Sequence, residues 1–225
     1  MAVLQIQLSE KLFLKDPQST DLGKRIIKAS ISLIDTIGFE AFTFKKLSVE
    51  IDSTEASIYR YFENKHRILL YMITWYWAWL EYRIEFETYN IQDAKVKLET
   101  ALRIVCLKND QDIAFPDIDE VALQRIVIGE SDKVYLTKQV DSDNKVGLFK
   151  GYKSLCRQIS EIIKTINQSY PYPNALASTI LEAANQQVFF ARHLPSLTES
   201  SKAEDPFSYN FSFLKSLVFN AIEVE

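Results

Sequence analysis

The sequence predicts an all-α protein, and three observations carry that prediction. Only five glycines and six prolines punctuate 225 residues. The long segments between them space their apolar residues three and four apart, the period of a helix with one buried face. No internal repeat or low-complexity tract interrupts that pattern. With 47% apolar and 25% charged residues, the chain belongs with ordinary globular proteins of one or two domains that bury a good core.

The amino terminus is the exception to helical spacing. Leu4, Ile6 and Leu8 alternate, Ser9-Glu10-Lys11 interrupt, and Leu12 and Leu14 resume. A period of two points to a small β-hairpin, with an arm ordered only by packing as the alternative. Asp16–Thr20 then breaks the chain, and Thr20 or Asp21 caps a first helix through Ile26, Ile34 and Ile37. Gly38 stands where the chain must leave that helix in a left-handed conformation.

Thr43 caps a second helix that buries Phe44, Leu47 and Ile51 and leaves Lys45, Lys46 and Glu50 wet. Asp52-Ser53 forms the turn, and the left-handed position falls to Asp52, which tolerates it at about 1 kcal/mol. Thr54 caps a third helix through Ile58, Tyr59 and Phe62. Asn64 caps a long helix to about Thr88, and further helices are predicted over 91–108, 117–130, 144–168, 173–194 and 207–222, with prolines at several borders. Residues 131–143 lack a clear period and read as a polar loop.

Two short helices joined by a tight polar turn form a helix-turn-helix, and the second carries groups suited to a major groove and its phosphates. Thr43, Lys46, Tyr59, Tyr61 and Lys65 are candidates for the phosphate backbone, Glu55, Ser57 and Arg60 for base edges or the phosphates beside them, and Lys45 is a further candidate for DNA contact. Thr54 caps the reader and can donate to a phosphate.

The order of Thr43, Leu47, Thr54, Ala56-Ser57-Ile58-Tyr59, Tyr61-Phe62 and Lys65 resembles the tetracycline-repressor (TetR) family of bacterial transcription regulators, and the Ile26–Phe39 helix fits it too. Asp52-Ser53 replaces the family's usual Gly-Val turn, and Glu55 opens the reader with a carboxylate that suits the helix dipole but repels phosphates. Glu55 could instead accept from cytosine N4. The resemblance implies a TetR-like fold, with a three-helix DNA-binding domain over 20–66 and a helical ligand-binding and dimerisation domain over 67–225, while residues 1–19 form an extension outside the family's usual framework.

Two apolar seams bear on dimerisation. Ala177, Leu181, Ala184, Val188 and Ala191 repeat at four and three, as do Phe207, Phe211, Leu214, Val218 and Ala221. They suit either this chain's own core or a four-helix bundle between two subunits, and the family's pairing through its last two long helices tilts the reading to a homodimer on a near-palindromic operator. Between reader and seam, Trp75, Trp79, Tyr82 and Phe86, part of the aromatic run from Tyr71, are candidate walls of a pocket for an unidentified small molecule, against a plain core role.

Other classes find less support. Residues 1–70 carry ten Lys and Arg against nine Asp and Glu, and the rest is net −5. That field is too weak for non-specific nucleic-acid binding and asks for a few placed contacts, doubled by a dimer. Cys106 and Cys156 lack metal spacing and read as buried thiols of a reducing cytoplasm. No signal-peptide core is apparent, and the run Leu69–Leu80 is well short of the roughly 20 residues that span a membrane. His66 and His193 stand outside any catalytic or metal-ligand spacing, so no enzyme, metal or cofactor is expected. His66 is expected near the DNA surface. The sequence therefore reads as a ligand-responsive, dimeric, cytoplasmic regulator, most naturally a repressor; the alternative is a helical sensing or interaction module of the same fold that has lost DNA binding.

Overall fold

A computed structural model describes residues 5–223, and among them every regular element is helical. The helices are α1 (Asp21–Ala41), α2 (Phe44–Glu50), α3 (Glu55–Tyr59), α4 (Lys65–Thr88), α5 (Ala94–Cys106), α6 (Glu120–Glu130), α7 (Asp132–Tyr135), α8 (Val140–Lys145), α9 (Lys150–Ile166), α10 (Pro173–His193) and α11 (Pro206–Ile222). Two compact units emerge: one is the chain up to Trp77 with Asn109–Gly151, the other Ala78–Lys108 with Tyr152–Glu225. The helix α4 contributes to both.

Caps account for most of the boundaries. Thr20, Thr43 and Thr54 each accept the backbone N–H three residues on, Asn64 and Asp119 do the same for α4 and α6, and Asp205 accepts the N–H two residues on at the start of α11. The segment 131–143 is not the polar loop its composition suggests. It holds α7 and α8, because Val134 and Asp143 are both buried and draw it onto the core.

The predicted hairpin is also absent from the described residues; Leu4 lies outside them. Residues 5–20 instead form an extended strap with 3-10 turns at Glu10–Leu12 and Pro17–Ser19. Packing orders it: Leu12 is fully buried, the Leu14 N–H donates to the Tyr61 carbonyl at 2.7 Å, and the Gln18 amide donates to the Ile6 carbonyl. Its period of two arises from an extended backbone laid on helices rather than from strand pairing.

In the first unit, α1 packs on α6, braced by a two-point ion pair between Arg125 and Asp35 at 2.8 and 2.6 Å. Gly38 breaks α1 with φ 76° and ψ 158°, a region only glycine enters readily. The Phe39 N–H released by that break donates to the Glu130 carboxylate at 3.0 Å.

In the second unit, α5, α10 and α11 pack together. The Asn210 amide donates to the Ala184 carbonyl at 2.8 Å, a reach that the small alanine side chain allows. The seam proposed to meet a second subunit belongs largely to this packing. Ala177, Leu181, Ala184, Val188, Leu214 and Val218 are all buried within the single chain, and Ala191 and Phe211 are half-buried. The outward face of α11 instead carries Tyr209, Phe213 and Leu217 at steps of four, each more than 40% exposed.

The strap lies so close to α1 that a Cβ at Gly23 would collide with the Pro17 backbone. Gly23→Ala is therefore expected to lower stability by about 1–3 kcal/mol, despite alanine's better helix propensity. Urea denaturation measures this, and a gain in stability would show that the strap does not seat there.

Candidate nucleic-acid interface

The helix-turn-helix is held by its buried residues. Phe44, Leu47, Ile51, Ile58 and Phe62 lie within 6% exposure, so α2 and α3 share one small core and present opposite faces to solvent. Asp52 takes φ 47° and the Ser53 N–H closes on the Ser48 carbonyl at 2.9 Å, a left-handed helix exit built without glycine. The Ile51 carbonyl at that exit accepts from Arg25 at 3.1 Å. The turn expected of Asp52-Ser53 is thus present. The reader is shorter than its sequence suggests: α3 ends at Tyr59, and Phe62 is reached through a turn whose N–H still bonds the Ile58 carbonyl.

The outward residues fall into two groups. Thr43, Lys45, Thr54, Glu55, Tyr59 and Arg60 are exposed, and Ser57 is half-buried with its hydroxyl 2.9 Å from that of Thr54. Lys45 and Arg60 make no ion pair among the described residues and keep their charge for a ligand. The Tyr59 ring packs edge-on against Phe44 at 4.8 Å, which fixes its direction.

Three residues assigned to phosphate are engaged by the chain itself, Lys65 and Tyr61 within the fold and Lys46 from an exposed position. Lys65 Nζ donates to the carbonyls of Phe39, Glu40 and Phe42 at 3.0, 3.1 and 3.3 Å, and stands 4.6 Å from the centre of the Phe39 ring. Lys46 Nζ donates to the Ala41 carbonyl at 2.8 Å. Two lysines therefore satisfy four consecutive carbonyls where α1 ends, the exit that a helix leaves without partners. Tyr61 is 3% exposed and its hydroxyl meets Thr20 Oγ1 at 2.8 Å. A lysine a few residues beyond a helix end could have signalled the first role for Lys46; Lys65 lies too far along the chain for spacing to reveal it.

Elsewhere, His66 is half-buried rather than on the surface; burial above all holds its pKa down, and the nearby Arg67 adds to this against Asp143. Trp75 and Trp79 are buried, Tyr82 half-buried, and Phe86 is 71% exposed and stacked on Tyr82. Arg83 pairs with Glu87 and Arg125 with Asp35, while Arg103 is exposed. Cys106 is buried and Cys156 half-buried, and burial pushes their thiols up to about 12 and about 11. Burial likewise pushes Glu120 up to about 7, but this carboxyl has no solvent exposure and accepts the Asp112 N–H, so it serves the start of α6. Among the described residues no three His, Cys, Asp or Glu stand together as a metal site needs, and no helix is long and apolar enough to cross a membrane.

Residues 26–72 match the sequence model of bacterial regulatory proteins of the tetR family. No curated protein matches the chain by sequence. Solved structures share its fold at low identity. A bacterial regulatory protein in the tetR family from Rhodococcus RHA1 is 14% identical, with a TM-score of 0.63 over 92% of this chain and 99% of that one. A TetR-family transcriptional regulator from Pectobacterium atrosepticum is 15% identical, with a TM-score of 0.58 over 92% and 98%. AibR, solved in complex with isovaleryl coenzyme A and operator DNA, is 13% identical, with a TM-score of 0.59 over 87% and 98%.

Replacing Lys65 by Met keeps the stem and removes three charge-assisted hydrogen bonds. Lys65→Met is expected to cost about 2 kcal/mol in the absence of DNA. A thermal or denaturant melt checks this, and unchanged stability would return Lys65 to the phosphate contacts.

Proposed function

We propose that this chain, a TetR-family regulator by its amino-terminal domain and its fold, binds a near-palindromic operator as a homodimer in the cytoplasm and represses transcription in response to a small molecule. In this reading residues 20–66 bind DNA, 67–225 bind ligand and partner, and the described part of the 1–19 extension, residues 5–19, braces the reader. The observation that carries the reading is the short capped α3, which leaves Arg60, Tyr59, Ser57 and Glu55 on or near one solvent-facing surface beside Lys45 of α2. Glu55 and Ser57 would approach base edges, Arg60 a base or its phosphate, and Lys45, Thr43, Thr54 and Tyr59 the backbone. A single five-residue helix reads few base pairs, so two copies roughly 34–36 Å apart supply operator-length specificity. The exposed stripe of Tyr209, Phe213 and Leu217 on α11 supports pairing through that face. AibR, solved with both an acyl coenzyme A and operator DNA, supports a small-molecule partner for this fold. Regulation rather than catalysis follows, because the groups that the fold exposes at α3 suit recognition.

A second reading, a sensing module of the same fold without DNA binding, is favoured by one observation. Glu55 is exposed on the reader while Lys65 and Tyr61 are engaged internally and the exposed Lys46 is tied to the Ala41 carbonyl.

Selection of bound duplexes from a random library decides between the two. Enrichment of a near-palindrome holding two copies per duplex, with affinity falling at least tenfold in Arg60→Ala, is the expected result. Failure of the folded protein to enrich any sequence would favour the second reading.

A further inference from the structure

The strap passes the carboxyl end of the reader closely enough to add to its surface. The Leu14 N–H donates to the Tyr61 carbonyl at 2.7 Å, which ties the strap's backbone to the residue that directly follows Arg60. Leu12, fully buried, anchors the strap on one side of that bond, and Pro17, buried against α1, anchors it on the other. The segment between them is held in place yet uncovered: Leu14 is 59% exposed, and Lys15 is exposed beside it.

Lys15 brings a positive charge to this junction. Its Nζ stands 5.2 Å from the centre of the Tyr61 ring, an aromatic face that orients a cation without neutralising it. The flanking carboxylates are engaged elsewhere: Asp16 accepts the Gln18 N–H at 2.9 Å, and Glu63 pairs with Arg67 at 3.5 Å. Lys15, like Arg60, makes no ion pair among the described residues. The two cations start from backbone positions joined by the Leu14–Tyr61 hydrogen bond and one peptide link on either side of it. A duplex strand presents a phosphate roughly every 3.4 Å of axis, so cations this close can meet neighbouring phosphates.

We propose that the strap is a second DNA-contacting element, with Lys15 binding a backbone phosphate beside the one that Arg60 approaches. The proposal rests on the operator-binding reading and extends it beyond the helix-turn-helix. It supplies a cation next to the reader where Lys65 is spent on the carbonyls of α1. Such a contact carries no sequence information; it fixes how the reader is set on the duplex.

The duplex recovered by selection is titrated from about 50 to 200 mM salt with the parent, Lys15→Gln, Lys15→Arg and, from an exposed position in the other unit, Lys95→Gln. One phosphate contact per subunit contributes about 0.9 to the slope of log K against log salt. Lys15→Gln is therefore expected to bind more weakly, with a slope shallower by about two units in a dimer, so that its deficit narrows about tenfold across that range. Lys15→Arg should restore the parent's slope, and Lys95→Gln should match it. A lysine that only holds Tyr61 in place would lower affinity equally at every salt concentration. That result would overturn the proposal, as would a slope not restored by Lys15→Arg or a change shared by Lys95→Gln. A parent that enriches no duplex would remove the operator-binding reading itself, and the proposal with it, whereas a steep parent slope kept by Lys15→Gln would remove the proposal alone.

Discussion

The end of α1 is the constraint on which the reader depends. A helix that stops inside a protein leaves carbonyls that must find donors, and here the four from Phe39 to Phe42 find them on Lys65 and Lys46. Both lysines belong to the elements that must be aimed: Lys46 to α2, Lys65 to the first turn of α4. The same exit is fixed from the other side, where Gly38 turns the chain and Glu130 of α6 accepts the Phe39 N–H. Donors from α2 and α4 and an acceptor from α6 thus converge on one turn, and the direction of α2, and with it α3, follows.

The strap acts on the reader's far side. Its Leu14 N–H bonds the Tyr61 carbonyl, Lys15 lies 5.2 Å from the Tyr61 ring centre, and Thr20 meets the Tyr61 hydroxyl. Tyr61 is therefore gripped at backbone, ring and hydroxyl, and the turn after α3 has little freedom. Few cations remain to face a phosphate backbone. In the proposed reading, affinity for DNA comes from placed contacts repeated in a dimer, in keeping with the near-neutral charge of the first third of the chain.

Much of this was legible in the residues. Thr43, Thr54 and Asn64 are caps as their positions suggest, and Asp52 takes the left-handed conformation that the missing glycine leaves to it. Those signals are local, and local hydrogen bonding decides them. What stayed hidden depends on residues distant in sequence. Lys65 reaches back 23 to 26 residues to its carbonyls and Tyr61 41 residues to Thr20, and no spacing rule distinguishes such a side chain from one that reaches for DNA. Periodicity located the apolar faces of α10 and α11 but not what covers them: Ala184 and Leu214 face their own unit, and the outward stripe starts at Tyr209. The alternation in the strap was real, but an extended chain packed on helices has the same period as a strand.

The salt dependence of operator affinity tests most directly whether Lys65 points into the fold. Each phosphate neutralised contributes about 0.9 to the slope of log K against log salt, so a contact made once per subunit contributes about two units to a dimer. The slope of Lys65→Met is expected to equal that of the parent. A slope shallower by about two units would mean that Lys65 binds phosphate, and would contradict the account of how α1 is closed.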